Sequence, residues 1–215
     1  MTFYKIIIDE GRRKKYSAGI MLDESKNKNI QCNSCGREWE KEALLDNEVF
    51  FNIALTNSNY PDFVYFLYYI LVSNKVKDVF LSENIKGYHL EDINVVSKSS
   101  IAPSKIKELR DMGYKVNNIP NNPPSYYKLV ANRSAGLCQH SNVVLEVNCD
   151  ICGFEGYEVI GDIFQPKCIK KESWNGDDIF MVKEFCSVEY CSEKIVEVYK
   201  KHELTGLTFQ KVDSL

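Results

Sequence analysis

The sequence predicts an α+β fold with mixed sheets and packed helices. Strand-like and helix-like segments follow one another without the regular alternation that builds a parallel α/β sheet. The composition is that of a globular chain, 44% hydrophobic and 27% charged over 215 residues. Aromatics reach 12%, more than a disordered chain carries.

The segment 3–8, F-Y-K-I-I-I, is aromatic and β-branched and reads as a strand. Residues 11–29 are polar and loop-like, apart from the apolar G-I-M-L at 19–22. Residues 61–74 read as a helix. Pro61 suits a first turn, and Phe63, Phe66, Leu67, Ile70 and Leu71 recur at helical spacing. A strand is expected over 76–81, with Ser82 and Glu83 opening a further helix. Residues 104–112 read as a short helix that Gly113 closes.

The run N-N-I-P-N-N-P-P at 117–124 is the clearest break in the chain. It suggests two halves, 1–122 and 123–215, within one compact unit. Beyond it, 126–132, 143–147 and 157–160 are strand-like, and Phe164-Gln165-Pro166 ends the last of these. Residues 174–178, W-N-G-D-D, signal a turn. Residues 192–202 read as a helix with Ile195, Val196 and Tyr199 on one face. Gly206 stops it, and 207–212 form a final strand.

Charge excludes some functions. The formal net charge is −3, so the nucleic-acid backbone is not an expected partner. The one basic run, Arg12-Arg13-Lys14-Lys15, reads as a solvated loop. No basic leader precedes an apolar segment at the N-terminus, and the apolar run at 63–72 is too short to span a bilayer, which takes about 20 residues. We read the chain as cytoplasmic and free of membrane. Its eight cysteines then point to metal or buried thiols rather than disulfides.

Two cysteine pairs stand out, C-N-S-C-G at 32–36 and C-D-I-C-G at 149–153. Two residues between cysteines let a tight turn aim both sulfurs at one point, and the glycine supplies the positive φ of such a knuckle. Cys32, Cys35, Cys149 and Cys152 together would complete a closed, tetrahedral, structural Zn2+ site. The alternative is two buried or redox dithiols. A thioredoxin-like role does not fit, because neither pair follows a strand into a helix. A shared metal would staple the first part of the chain to the second.

Of the remaining cysteines, Cys138 lies in Cys138-Gln139-His140, a poor zinc spacing, and reads as a buried free thiol. Cys168, Cys186 and Cys191 have no motif. His89, His140 and His202 have no setting of a catalytic base. There is a faint internal echo, F-L-S-E-N-I at 80–85 against Y-C-S-E-K-I at 190–195. No phosphate loop, dinucleotide fingerprint, nucleophile elbow or H-E-x-x-H helix is present. Asp177 and Asp178 read as turn carboxylates. Glu189, Glu193 and Glu197 would align along a helix as a solvated acidic face, or as a patch for a basic partner.

The two C-x-x-C-G knuckles, with the later W-N-G-D-D-I-F, S-E-K-I and L-T-G-L-T-F-Q-K-V, resemble the double-CXXCG motif proteins. That group was first noted in myxobacteria, and some of its members are immunity proteins of swarming-inhibition toxin systems. The resemblance rests on Cys32, Cys35, Gly36, Cys149, Cys152, Gly153, Trp174, Gly176, Asp178 and Phe180. It implies a non-enzymatic immunity protein that neutralises a cognate toxin domain by binding it. Trp174, Asp177, Asp178, Glu189 and Glu193 are the candidate partner surface. Two other readings remain: a zinc-ribbon module for nucleic acid or regulation, and a metal- or thiol-dependent enzyme.

Overall fold

The computed structural model describes residues 1–8, 16–22, 28–41, 52–66, 69–161 and 167–215, with the backbone alone at 28–30, 38–41 and 185–188. The basic run at 12–15 and the strand-ending 164–166 lie outside the described residues.

The first part of the chain contributes β1 (Phe3–Ile8), β2 (Gly19–Met21), β3 (Lys28–Gln31), β4 (Glu38–Lys41), β5 (Asn52–Leu55), β6 (Phe63–Phe66) and β7 (Tyr69–Ser73). Helix α1 (Asn74–Ser82), β8 (Tyr88–Asp92), β9 (Asn94–Val95) and α2 (Pro103–Asp111) follow. The second part contributes β10 (Tyr126–Leu137), β11 (Val143–Cys149), β12 (Phe154–Val159), β13 (Ile169–Lys170), β14 (Ile179–Val182), β15 (Phe185–Ser192), α3 (Glu193–Lys201) and β16 (Leu207–Val212). The α+β class holds. A mixed sheet runs β16-β1-β15-β14-β10-β7-β6, with β8 and β13 also paired to β10. β2, β5 and β9 form a small sheet, and β3–β4 and β11–β12 are separate two-stranded ribbons.

The helix expected at 61–74 is instead the antiparallel pair β6–β7, in which Phe66 sits opposite Tyr69. The helical spacing there is incidental. Val64, Phe66, Ile70, Leu71 and Val72 are all buried, so the segment is apolar on both faces, as a strand covered on both sides must be. Aromatic and β-branched residues then favour the pleated backbone. The strand expected at 76–81 is helix α1. It buries Val76, Val79 and Phe80 at helical spacing, and the Ser73 hydroxyl accepts the Val76 N–H at its start (3.3 Å). Ser82 and Glu83 therefore end a helix rather than open one. The helix closed by Gly113, the helix after Ser192 and the strands at 3–8 and 207–212 fall where the pattern puts them.

The topology contains an internal repeat. β6–β7–α1–β8 and β14–β15–α3–β16 are the same hairpin–helix–strand unit. Ser73 and Ser192 precede the helices with nearly the same backbone (φ −71 and −75). Asn84 and Glu203 are both left-handed just after the helices, and Gly87 and Gly206 both have positive φ before the last strand. Val76, Val79 and Phe80 correspond to Ile195, Val198 and Tyr199. The echo at 80–85 and 190–195 is a different register and pairs unlike structures, the end of α1 with the join of β15 and α3.

Each unit is completed by a strand from the other half. β1 lies between β15 and β16, with Tyr4 opposite Cys191 and Lys211. β10 lies between β7 and β8, with Tyr127 opposite Val72 and Asp92. The inserted segments match in sequence, F-Y-K-I-I at 3–7 and Y-Y-K-L-V at 126–130. The pairing before each ribbon repeats as well: Ile20 faces Ala54 as Leu137 faces Ile169.

Two carboxylates fasten the exchange. Asp62 accepts hydrogen bonds from the Thr205 N–H (2.9 Å) and the Ser73 hydroxyl (3.1 Å), with Lys75 at 3.7 Å. Asp178 accepts them from the Lys86 N–H (3.0 Å), the Ser192 hydroxyl (3.1 Å) and Lys194 (3.1 Å). Each aspartate thus grips its own helix start and the loop of the other unit. A Cβ at Gly87 would run into the Ile179 carbonyl, and one at Gly206 into the Phe63 carbonyl, so both loops need glycine for close approach as well as for φ.

Helices α1 and α3 share one core with the sheet, through Val76, Phe80, Ile195 and Val198. Glu83 at the end of α1 meets Lys201 and His202 at the end of α3, each at 2.7 Å. α2 covers the small sheet through Leu109, Ile20 and Ala54.

If the clasps are equivalent, Asp62→Ala and Asp178→Ala should each lower stability by about 2–4 kcal/mol in urea denaturation. A large loss in one variant with none in the other would break the equivalence.

Candidate metal centre

The first knuckle is the turn between β3 and β4, and the second is the turn between β11 and β12. In each, the glycine N–H reaches back to the first cysteine carbonyl: Gly36 to Cys32 (2.9 Å) and Gly153 to Cys149 (2.8 Å). The two glycines adopt φ of +70 and +68, so the knuckles are copies of one turn.

The predicted set comes together. The sulfurs of Cys32, Cys35, Cys149 and Cys152 all lie within 4.8 Å of one another. Cys32 Sγ lies 3.8 Å from Cys149 Sγ, and Cys35 Sγ lies 3.7 Å from Cys152 Sγ. A tetrahedron with Zn–S bonds of about 2.3 Å has S···S edges of about 3.8 Å. The equivalent cysteine of each knuckle faces its counterpart, so the site sits where the two repeats meet. Cys32 and Cys149 are buried, while Cys35 and Cys152 are half-buried. Across the seam, the Arg37 guanidinium lies 3.8 Å above the Phe154 ring, a cation–π contact between the ribbons.

The electrostatics suit a soft cation. Backbone N–H groups of Cys152 and Ile151 aim at the Cys149 sulfur and hold its thiol down to about 6, against the pull of burial. The N–H groups of Cys35 and Ser34 lower Cys32 in the same way. Cys152 is pushed up to about 12, first by burial and then by the neighbouring thiols, as expected where four negative sulfurs would crowd without a cation. The described side chains thus offer a divalent thiophilic metal four sulfurs at the spacing of a shared site. Zn2+ fits that donor set, and its chemistry there would be structural.

The second ribbon is tied at its base. Cys138, expected as a buried free thiol, forms a disulfide with Cys168, with Cα atoms 5.3 Å apart. They flank the excursion that carries Cys149 and Cys152. In the first repeat the corresponding pair is Met21 opposite Ile53. The same base is held without sulfur by the Cys138 N–H to the Cys168 carbonyl (2.8 Å) and by Ser141, whose hydroxyl accepts the Cys168 N–H (3.0 Å). Cys191 is a buried thiol, raised by that burial. The Cys186 side chain lies outside the described residues. None of the three histidines belongs to the four-sulfur cluster.

The five candidate partner residues lie in different settings. Trp174 is half-buried, edge-on to Phe3 (5.3 Å between centroids), with its indole N–H donating to the Asp177 carbonyl (2.8 Å). Asp177 accepts from the Asn132 side chain (3.2 Å). Asp178 is buried and directs its carboxylate inward, as described above. Glu189 lies in β15 rather than on a helix, so the stripe 189-193-197 does not exist; Glu193 and Glu197 are exposed on α3. Burial pushes the Glu189 carboxyl up to about 7.

No known family model and no curated protein matches the chain.

If the four sulfurs hold a metal, elemental mass spectrometry should find one thiophilic ion per wild-type chain, and Cys32→Ser and Cys149→Ser should both lose it. Because protons compete with metal for the thiolates, retention should fall as pH drops through 6 and below. Equal metal content in both variants and wild type would remove the shared site. For Glu189 the raised folded-state value means that stability falls as pH rises from about 4.5, the ordinary carboxyl value, to about 7. Glu189→Gln should therefore raise the melting temperature at pH 8 and leave it nearly unchanged at pH 4.5.

Proposed function

We propose that the chain is an immunity-type protein: a scaffold, stapled by a structural zinc, that neutralises a cognate bacterial toxin domain by binding it and performs no catalysis. One observation carries the reading. The four sulfurs lie within 4.8 Å of one another and would fill four metal positions from protein ligands alone, whereas a catalytic zinc keeps a position open for water or substrate. In this reading the metal spends its binding energy on holding two ribbons together. The resemblance to the double-CXXCG motif proteins supplies the biological role, and the net charge of −3 suits a basic protein partner.

The reading places the protein in the cytoplasm, and no helix among the described residues is long and apolar enough to cross a membrane. In a reducing cytoplasm the Cys138–Cys168 pair would open, and the Ser141 hydrogen bonds would then hold the ribbon base. A zinc-ribbon module for nucleic acid could use the same four cysteines. The absence of any Lys or Arg from 134–166, the stretch that includes the second ribbon, weighs against it.

The test is the polypeptide encoded directly upstream of this gene. Its C-terminal domain, expressed in a heterologous bacterium, should arrest growth, and co-expression of this chain should restore growth. The purified pair should associate with a Kd of nanomolar order. Arrest without rescue, or no association, would overturn the reading. Salt-sensitive binding to DNA or RNA would replace it with the nucleic-acid module.

A further inference from the structure

The repeat supplies an internal comparison, because the same ribbon is built twice by different residues. At the tip of the first, the two residues between the cysteines are Asn33 and Ser34. At the tip of the second they are Asp150 and Ile151. Both turns close with the same hydrogen bond and nearly the same glycine φ. The turn therefore does not need an apolar residue at position 151, and yet Ile151 is 78% exposed.

The rest of the second ribbon departs in the same direction. Val144 (49% exposed) and Leu145 (45%) stand on β11, and Ile160 (56%) follows β12. The register places Val144 opposite Glu158 and Leu145 opposite Tyr157, so the two point to opposite faces. β11 and β12 pair only with each other among the described residues, and beyond the disulfide-tied base the ribbon meets the first one through its cysteines and Phe154 while these apolar side chains stay exposed. Isolated exposed apolar residues are ordinary, but several on one hairpin mark an interaction site.

Charge decides the occupant. The first ribbon, 28–41, mixes Lys28, Arg37 and Lys41 with two glutamates. The second, 143–159, has Glu146, Asp150, Glu155 and Glu158, all exposed, and no cation. Arg37 of the first ribbon stacks on Phe154, but the charges that the second ribbon itself carries are all acidic, so it is a poor seat for a second copy of itself, because the acids would face one another. It is equally unsuited to a nucleic acid or an anionic lipid surface.

We infer that the β11–β12 ribbon is a docking surface for a cationic protein, with Ile151 and Leu145 as apolar anchors and the four carboxylates steering the approach. Burying Ile151 in a partner pocket supplies affinity, and the carboxylates supply association rate and exclude acidic partners. This site is separate from the Trp174–Asp178 segment, in which Asp178 is buried and the other four residues are half-buried or exposed. Identifying the partner as a toxin rests on the immunity reading; the chemistry of the surface does not.

The probe is a synthetic amphipathic peptide of leucine and lysine, titrated into isotope-labelled, metal-loaded, full-length protein and followed by amide NMR shifts. Shifts should concentrate at 143–160. Affinity should fall about tenfold in Ile151→Ser, which installs the residue that the first knuckle uses and so preserves the turn. It should fall further in the charge-reversed E146K/E155K protein, and the gap between that protein and wild type should close at high salt. No binding, shifts centred elsewhere, or an Ile151→Ser protein that binds as wild type would each overturn the proposal. Since the probe is not a toxin, such a failure leaves the growth-rescue test untouched, and failure of that test leaves this surface standing.

Discussion

The fold depends on a reciprocal exchange of strands. β1 completes the unit built by β14, β15, α3 and β16, and β10 completes the one built by β6, β7, α1 and β8. Neither unit closes its sheet from its own half, so neither hairpin can bury its apolar faces alone. The main-chain hydrogen bonds of the inserted strands are non-local, and their cost in chain entropy must be met by the core that they bring together. Asp62 and Asp178 fix the geometry of that exchange. Each ties a helix start in one unit to a loop in the other, where only glycine permits the approach.

The candidate metal centre is a second seam between the same two halves. Each repeat sends out a two-stranded ribbon whose tip holds two sulfurs, and the meeting of the two tips brings four sulfurs together. A two-stranded ribbon is marginal on its own in water. A cation shared between two ribbons, with Arg37 stacked on Phe154 across the seam, would stabilise both at once. The thiols held low by backbone N–H groups, and the one pushed high by burial and by its neighbours, are the electrostatic setting that a bound cation would relieve.

The repeats have diverged where they face solvent and stayed alike where they face each other. Ser73 and Ser192, Lys75 and Lys194, and Gly87 and Gly206 keep the clasps. The ribbons differ in charge and tip residue. The bond between Cys138 and Cys168 occupies the place of an apolar pair in the first repeat, so covalent and hydrophobic solutions serve the same joint.

Local pattern by itself determined the α+β class, the terminal strands at 3–8 and 207–212, the helices closed by Gly113 and begun after Ser192, and the four cysteines of the cluster. These follow from signals that act over a few residues: β-branched runs, caps, and the turn that C-x-x-C-G imposes. The repeat was also written in the sequence, in F-Y-K-I-I against Y-Y-K-L-V and in the matched serines and glycines. It is gapped and its identities are few, so a six-residue echo at the wrong register looked just as good. Only the tertiary structure decided that 63–66 and 69–73 pair as strands, since a segment apolar on both faces satisfies either period until its neighbours are known. It also decided that Cys138 meets Cys168, and that Asp178 turns inward while Ile151 turns out. Disulfide pairing and burial depend on which distant segments the exchanged strands bring alongside, and no local spacing carries that information.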